Sequence, residues 1–339
     1  MTLVPRDYRG FNYSGSWGTS ALDLWQHHDH GLMAVEIARG KGYFPGWNVA
    51  RWWLSHESYQ RKPARFLANF EAGLNIFADH GIAVMPVLFN RWRDPTCDFG
   101  GVPLEHIVPW FTNQGNAPDL FQDDDLASRD VTRVQLLFSD YLRAVVGEHL
   151  DDPRIAAWDI CNEPFSGPYL HDDSSEVRAA EVRWLDWCYR AIKRLGAAQP
   201  LTVGNRQYVK AVQLTEHISD FLTFHPYYVG SLTDRENQAR WEDRLDQIMA
   251  IGRAAGKEVA ATETIWGALD DAAHVALAEY TLGELRKRDL GFIVHALHHS
   301  LVADLHFPEY GPVGPPECLH FINADGSLRA GHEIFNRFV

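Results

Sequence analysis

Two kinds of segment alternate along this sequence, and their repeated order limits the possible folds more than any other feature. Short apolar runs, several of them almost continuous, as in IAVMPVLF and GFIVHAL, are separated by longer amphipathic runs. Continuous apolar runs of this length are typical of parallel strands that are covered on both faces. Eight strands are predicted: Tyr8–Tyr13, Trp47–Leu54, Ile82–Phe89, Ile155–Asn162, Leu201–Asn205, Phe221–His225, Glu258–Glu263 and Gly291–Leu297.

The longer runs between these strands have helical periodicity. Pro63 stands where a first-turn proline is tolerated, and Gly81 follows a helical run as a stop signal. Apolar residues recur at spacings of three and four and form three stripes: Phe66, Phe70, Leu74 and Phe77; Val134, Leu137, Tyr141 and Val145; and Val182, Leu185, Tyr189 and Ile192.

Eight strands in alternation with helices predict an α/β fold, a (β/α)8 TIM barrel. An open doubly wound sheet is the alternative, but it would need a glycine-rich phosphate loop after the first strand. The sequence SGSWG at positions 14–18 does not match the G-x-G-x-x-G pattern of that loop.

Nothing in the sequence marks a second domain. The 339 residues contain no internal repeat, low-complexity tract or linker, so residues 1–339 are predicted to form a single catalytic barrel domain. Two connections are long, at about residues 90–128 after strand 3 and about 298–325 after strand 8. Both leave the C-terminal ends of strands, where the active sites of barrels lie, so we expect them to border the site.

Charge and composition exclude several classes of partner. The formal net charge of −14 argues against binding to nucleic acid or to an anionic membrane, because both need clustered Lys and Arg. No apolar run approaches the roughly 18 residues of a membrane span, and the N-terminus lacks a secretory signal pattern. The four cysteines, Cys97, Cys161, Cys188 and Cys318, are far apart and read as free thiols. We therefore expect a cytoplasmic enzyme.

Two predicted strands end in a glutamate. The run IAAWDICNEP places Asn162 and Glu163 at the end of strand 4, before Pro164, and EVAATETIWG places Glu263 at the end of strand 7. Cleavage of a glycosidic bond needs two carboxyl groups that face each other across the bond, one of them with a raised pKa. Two strand-end glutamates of a barrel meet this requirement.

Two further motifs lie at strand ends. In FHPYY, His225 closes strand 6 and Tyr227 follows, and a tyrosine hydroxyl can orient a carboxylate by hydrogen bonding. In NVARWW, Arg51 stands in an otherwise apolar strand. A buried arginine needs a carboxylate partner, and a catalytic glutamate is the obvious candidate.

With these motifs the chain resembles glycoside hydrolase clan A, and most closely family 5, which contains cellulases, mannanases and exo-β-glycosidases. The resemblance covers most of the chain, roughly Tyr8 to Leu297. The family has an arginine at strand 2, Asn-Glu at strand 4, His-x-Tyr at strand 6 and a glutamate at strand 7. These features fall here on Arg51, Asn162 and Glu163, His225 and Tyr227, and Glu263.

The resemblance implies a retaining mechanism with defined roles. Glu163 would be the general acid/base and Glu263 the nucleophile, with their carboxyl groups about 5–5.5 Å apart. Asn162 would contact the sugar 2-hydroxyl, and Tyr227 and Arg51 would support the nucleophile. We expect burial and the charge of Glu263 to raise the pKa of Glu163, and Arg51 and Tyr227 to keep Glu263 ionised.

The sequence departs from the family pattern at two strand ends. Strand 3 usually ends in a histidine, but the aligned position here is Phe89, followed by Asn90. Strand 8 usually supplies a tryptophan platform, and this strand offers His295 and His298 instead. Asn90, His295, His298 and Trp266 are therefore candidate substrate-binding residues, and the identity of the sugar stays open.

Histidines cluster after strands 1 and 8. The first cluster comprises His27, His28 and His30, and the second His298, His299 and His306. Clustered histidines can bind metals, but their spacing contains no H-E-x-x-H pair. Clan A catalysis needs no metal, so the sequence predicts polar pocket walls, with no metal and no cofactor.

The leading interpretation is a retaining exo-β-glycosidase that acts on short oligosaccharides or glycosides, a small carbohydrate being its only expected partner. An endo-β-mannanase or glucanase of the same family is the first alternative. A metal-dependent barrel hydrolase or isomerase and a non-catalytic sugar-binding barrel are alternatives from other classes. Neither the sugar, the linkage nor the oligomeric state follows from the sequence.

Overall fold

The computed structural model describes residues 3–92, 100–103, 107–111, 133–166, 168–302 and 318–339. Its eight parallel strands follow one another in chain order around a closed barrel. The eighth strand pairs with the first and closes the barrel. The prediction of a (β/α)8 TIM barrel is thereby confirmed. The strands are β1 (Arg9–Tyr13), β2 (Val49–Trp53), β3 (Ala83–Asn90), β4 (Trp158–Asn162), β5 (Leu201–Arg206), β6 (Leu222–His225), β7 (Val259–Ala261) and β8 (Gly291–Val294).

Helices separate consecutive strands and surround the barrel. The α-helices are α1 (Ala21–Gln26), α2 (His30–Tyr43), α3 (His56–Arg61), α4 (Pro63–Asp79), α5 (Val108–Phe111), α6 (Arg133–Val145), α7 (Glu176–Leu195), α8 (Val209–Thr215), α9 (Arg235–Ala255) and α10 (Asp271–Lys287). Short 3-10 helices span Pro5–Asp7, Gly147–His149, Pro168–His171, Glu216–Ile218 and His332–Arg337.

The predicted helical signals have their expected places. Pro63 opens α4, and Gly81, just after its end, has a left-handed φ of 66° that a glycine adopts without strain. All four members of the first predicted stripe are buried on α4. On α7, Leu185 and Ile192 are buried as predicted, whereas Val182 and Tyr189 are only partly buried.

The hydrophobic core has two parts. One cluster fills the inside of the barrel near the N-terminal ends of the strands and includes Tyr8, Val49, Met85 and Ile293. The much larger cluster lies between the outer face of the barrel and the helices. Because the lower part of the barrel is filled with apolar side chains, a ligand can enter only above it, at the C-terminal ends of the strands.

A local irregularity in the sheet changes which side chains face the cavity at the C-terminal ends of the strands. The register between β4 and β5 shifts between Asp159 and Asn162. As a result Cys161 packs into the outer core while its neighbour Asn162 faces the cavity. At the end of β3, Phe89 likewise packs against aromatic rings of α6 and α7, and Asn90 lines the cavity. Bulges next to active sites commonly redirect side chains in this way.

Some sequence predictions fall partly outside the described residues. Of the two long connections, the structure describes only residues 90–92, 100–103 and 107–111 of the first, and 298–302 and 318–325 of the second. Cys97 and His306 lie outside the described residues. Cys161 and Cys188 are buried free thiols. Cys318 is also buried, with its Sγ 3.3 Å from His320 Nε2. Within the described ranges, no helix is long and apolar enough to cross a membrane.

Candidate active site

Glu163 and Glu263 meet above the apolar floor of the barrel. Glu163 directly follows β4, and its left-handed backbone, with a φ of 47°, turns the chain sharply at this point. Glu263, predicted as the last residue of its strand, lies two residues beyond the observed end of β7. Both are almost fully buried and line one cavity of about 370 Å³. One carboxylate oxygen of each lies within 4.8 Å of the other.

This separation bears on the type of reaction. Retaining glycosidases hold their two carboxyl groups about 5–5.5 Å apart, whereas inverting enzymes leave about 6.5–9.5 Å for a water molecule. One oxygen of each group within 4.8 Å of the other fits the shorter range.

Arg51 lies fully buried beneath the two carboxylates. It donates to Glu263 Oε1 and forms a second ion pair with Asp159. Its five N–H groups are all used: Nε donates to Asp159 Oδ2, Nη1 to Asn12 Oδ1 and Glu263 Oε1, and Nη2 to Asp159 Oδ2 and Asn162 Oδ1. A guanidinium with every donor engaged has one orientation, so Arg51 fixes the position of Glu263.

Asp159 was not among the predicted site residues. Its Oδ1 accepts from the backbone N–H groups of Gly204 and Cys161, while its Oδ2 accepts from Arg51. Asp159 therefore positions Glu263 indirectly, through Arg51. A charged residue inside the apolar run IAAWDIC was the signal in the sequence that could have identified it.

Glu263 has the surroundings of an ionised carboxylate. Tyr227 donates its hydroxyl to Oε2 at 2.9 Å, and the ring of Tyr227 packs edge-on against Trp266 at 5.4 Å. Burial alone would raise the pKa of Glu263. The neighbouring His225, Arg51 and His295 outweigh burial and lower this pKa below its ordinary value.

Glu163 has different surroundings. Its Oε1 lies 2.9 Å from His225 Nδ1, and its Oε2 lies 3.3 Å from Arg206 Nε. Burial raises the pKa of Glu163 above its ordinary value, although Arg206, Arg51 and His295 act against it. The expected contribution from the charge of Glu263 is not among the main causes. The two glutamates thus shift in opposite directions, as an acid and a nucleophile require.

His225 lies between the two carboxylates. Its Nδ1 is 2.9 Å from Glu163 Oε1 and 3.4 Å from Glu263 Oε2. Burial lowers the pKa of His225 to about 3, so the imidazole is neutral at neutral pH. Nε2 is buried without a hydrogen-bond partner among the described residues, so we assign the proton to Nδ1. His225 therefore holds Glu163 by a hydrogen bond and lies beside Glu263.

Asn162 and Asn90 form a linked pair at the cavity wall. Asn162 Oδ1 accepts from Arg51, and its Nδ2 donates to Asn90 Oδ1 at 2.9 Å. The Asn162 amide is thereby fixed, and its second N–H can reach a ligand hydroxyl. Asn90 occupies the cavity-facing position at the end of β3, although the sequence comparison had aligned Phe89 there.

Aromatic side chains form much of the remaining wall. Trp53, at the end of β2, lies over the Arg51 guanidinium at 5.3 Å and contacts the ring of His295 edge-on at 5.4 Å. His295 and Trp266 line the cavity as predicted residues, whereas Trp53 was missed. Trp53 stands two residues after Arg51 and therefore lies on the same face of the strand. This spacing is the signal in the sequence that could have identified Trp53. Further rings missed in the sequence analysis are Trp17, Trp25, Trp52, Trp92 and Tyr208.

His298 does not line the cavity. Its Nδ1 donates to the carbonyl of His299 at 2.9 Å, and its Nε2 accepts from Arg39 of α2 at 3.2 Å. These contacts fix the chain after β8 against α2, so the expected contact with substrate is replaced by a supporting role. The physical reason is that His298, four residues beyond the end of β8, contacts Arg39 of the surrounding helix α2 instead of the cavity.

The first predicted histidine cluster stays together only in part. His28 lines the cavity and its ring lies 4.7 Å from that of His30, whereas His27 is exposed and pairs with Asp23 at 2.6 Å. Among the described residues, the one group of three metal-ligand side chains with donor atoms within 4.8 Å is formed by Glu163, His225 and Glu263.

Comparison with known proteins supports the same fold. No protein-family model matches the chain. A probable mannan endo-1,4-β-mannosidase from Aspergillus terreus is 28% identical over 133 residues, which cover 38% of this chain and 28% of that protein. The chain therefore matches little more than a quarter of this curated relative.

Solved structures match over nearly the whole chain. An exo-β-1,4-mannosidase from Opitutaceae bacterium strain TAV5 has a TM-score of 0.70 at 16% identity, covering 97% of this chain and 58% of that one. A glycoside hydrolase family 5 mannosidase from Rhizomucor miehei has a TM-score of 0.62 at 14% identity, covering 98% and 92%. An endo-β-1,4-mannanase from Thermotoga petrophila has a TM-score of 0.63 at 18% identity, covering 98% and 76%. The resemblance to family 5 is thereby confirmed at the level of the fold.

Proposed function

We propose that this protein is a retaining glycoside hydrolase that cleaves β-glycosidic bonds, with Glu163 as general acid/base and Glu263 as nucleophile. The observation that carries the proposal is the pair itself. Two buried carboxylates from β4 and β7 have oxygens within 4.8 Å of each other, and their pKa values are shifted in opposite directions. Such a pair is what a double displacement requires.

The contacts define the two steps. Glu263, held ionised by Arg51 and Tyr227, attacks the anomeric carbon while Glu163 donates its proton to the leaving oxygen. Water then attacks the glycosyl-enzyme, and Glu163, now a carboxylate, takes the proton of that water. The neutral His225 keeps Glu163 in place during the exchange, and Arg51 and Tyr227 keep Glu263 in place.

For the substrate we propose β-mannosides and an exo mode of action. Support for mannose comes from the names of similar proteins, several of which are mannosidases or mannanases. Support for exo action comes from the two long connections after β3 and β8. An exo enzyme should shorten mannohexaose one sugar at a time. Early fragments of intermediate length would favour the endo-β-mannanase or glucanase alternative.

A metal-dependent hydrolase is the second candidate, because Glu163, His225 and Glu263 could together approach one ion. Two guanidinium groups disfavour it. Arg51 already occupies Glu263 Oε1, and Arg206 lies 3.3 Å from Glu163 Oε2. A divalent ion would have to displace or repel both cations.

A non-catalytic sugar-binding barrel is the remaining alternative. Binding alone does not require two carboxylates with oppositely shifted pKa values, and their burial is costly without a function. The buried free thiols of Cys161 and Cys188 support a reducing, cytoplasmic location as part of the proposal.

A panel of nitrophenyl glycosides tests the proposal: β-mannoside, β-glucoside, β-galactoside, β-xyloside and α-arabinofuranoside. We expect turnover of one β-glycoside, with the β-mannoside first, and unchanged activity after dialysis against a strong chelator. Loss of activity that a divalent ion restores would favour the metal enzyme. Binding of a sugar without turnover of any glycoside would favour the non-catalytic barrel.

A further inference from the structure

Arg206, the last residue of β5, lines the cavity on one side of Glu163. Its Nε lies 3.3 Å from Glu163 Oε2. The other oxygen of Glu163 contacts His225, which in turn lies 3.4 Å from Glu263. One oxygen of Glu163 therefore contacts His225, which also lies beside Glu263, and Arg206 lies at the other oxygen.

Arg206 differs from the other charged groups of the site. Among the described residues that line the cavity, it alone carries a permanent positive charge. Arg51, below the cavity, has every N–H engaged, whereas Arg206 has one ion pair, to Glu163, and no hydrogen bond to any other part of the described chain. Its side chain is 39% exposed. The terminal NH2 groups of Arg206 are therefore available to a ligand.

The position of Arg206 indicates which part of a substrate it would meet. In the double displacement, Glu263 attacks the anomeric carbon and Glu163 protonates the oxygen of the leaving group. Because Arg206 lines the cavity and contacts Glu163, the group that protonates the leaving oxygen, it borders the space of the leaving group. Gln207 and Tyr208 continue this wall, and Gln207 Oε1 is buried without a partner among the described residues.

Resting on the proposed hydrolase function, we propose that Arg206 binds an anionic group, a carboxylate or a phosphate, on the leaving group. The natural substrate would then be a β-glycoside of a hydroxy acid or of a hydroxyalkyl phosphate. A guanidinium binds either anion through two parallel N–H···O bonds. With a net charge of −14 and two carboxylates in the site, the protein would otherwise repel such a substrate.

The bound anion would also prepare Glu163 for its role. In the free site Arg206 opposes the burial that raises the pKa of Glu163. An anion paired with Arg206 neutralises that effect, so Glu163 keeps its proton until the reaction. The proton then passes to the glycosidic oxygen as its bond to the anomeric carbon breaks and the bond from Glu263 forms. The leaving group departs as an alcohol that still carries its anion, and water later releases the sugar.

Matched substrates test this inference, all with the sugar that the nitrophenyl panel selects. The glycoside of glycolate is compared with that of glycolamide, and the glycoside of 2-hydroxyethyl phosphate with that of ethylene glycol. In the native protein, kcat/KM should be roughly 10- to 100-fold higher for at least one anionic member than for its neutral partner. The pair that shows the preference identifies the anion as carboxylate or phosphate.

Variants at Arg206 assign the preference to this residue. In Arg206→Met, which removes the charge, the ratio of kcat/KM within each pair should fall to about one, and in Arg206→Lys part of it should remain. Two results would overturn the inference and leave the hydrolase function intact. One is hydrolysis of nitrophenyl glycosides without a preference for either anionic substrate, and the other is a preference that Arg206→Met retains. Failure to hydrolyse any glycoside would overturn the proposed function and this inference together.

Discussion

Glu163 and Glu263 carry the same functional group, and their neighbours alone give them different chemistry. Glu263 accepts from Arg51 and Tyr227, whereas Glu163 contacts a neutral imidazole and the partly exposed Arg206. Burial affects both, but only at Glu263 do the surrounding groups outweigh it. One carboxyl group is therefore suited to donate a proton at a pH at which the other is an anion.

Replacement of Glu163 tests its role as the acid. In Glu163→Ala, kcat/KM should fall by about 10²–10⁴-fold for glycosides with a poor leaving group and much less for dinitrophenyl glycosides, which need no proton. Azide should then give a product of retained configuration. The exposed Glu148→Ala is the matched control and should behave as the native protein. An equal loss for all leaving groups would contradict the assignment.

The pH profile should change with the same replacement. Activity of the native protein should rise with pH as Glu263 ionises, at a pKa below the ordinary value, and fall as Glu163 loses its proton, at a pKa above it. With a dinitrophenyl glycoside, Glu163→Ala should lose the alkaline limb of kcat/KM and keep the acidic one. Survival of the alkaline limb would assign it to another group.

The predictable residues are those whose position follows from a strand end. Arg51, His225 and Tyr227 belong to motifs that the barrel brings together at one edge. Arg206 also ends a strand, but GNR contains no motif to single it out. The position of His298 could not be predicted, because the number of residues after a strand end does not tell in which direction the connection turns.

At the scale of elements, β4 and β5 determine the geometry of the site. The register shift in β4 brings both Asp159 and Asn162 to the cavity side. Opposite them, β5 has Gly204, where a Cβ would lie 2.6 Å from Asp159 Oδ2 and 2.7 Å from Arg51 Nη2. Only a residue without a side chain leaves room for this ion pair. Strict two-residue alternation cannot reveal such a bulge, so the sequence could not predict that Asp159 and Asn162, three residues apart, share one face of β4.

Substitution of Gly204 tests how strictly β5 controls the nucleophile. Gly204→Ala should displace the Arg51–Asp159 pair, lower kcat by at least about tenfold and lower the free energy of unfolding by about 1–3 kcal/mol. Gly42→Ala in α2, where nothing lies within 4 Å of the added Cβ, is the control. It should keep full activity and gain up to about 1 kcal/mol of stability. Native activity in Gly204→Ala would show that the close packing is not needed.

At the scale of the whole molecule, closure of the barrel makes the site from distant parts of the chain. Arg51 and Glu263 are 212 positions apart, yet they form an ion pair because β2 and β7 end at the same rim. The order of strands and helices was enough to predict this rim. The aromatic wall was harder to predict, because Trp17 and Trp25 come from the connection after β1, whose path depends on tertiary packing.

The most direct measurement of the central claim is the identity of the residue that bonds to the sugar. A 2-deoxy-2-fluoro glycoside with a dinitrophenyl leaving group, of the sugar that the panel selects, should trap the glycosyl-enzyme. Mass spectrometry of the digested protein should then find one sugar, bonded to Glu263. A ligand that competes for the cavity should slow this labelling. A label on any other residue, or turnover of the normal substrate to a product of inverted configuration without labelling, would contradict a double displacement through Glu263.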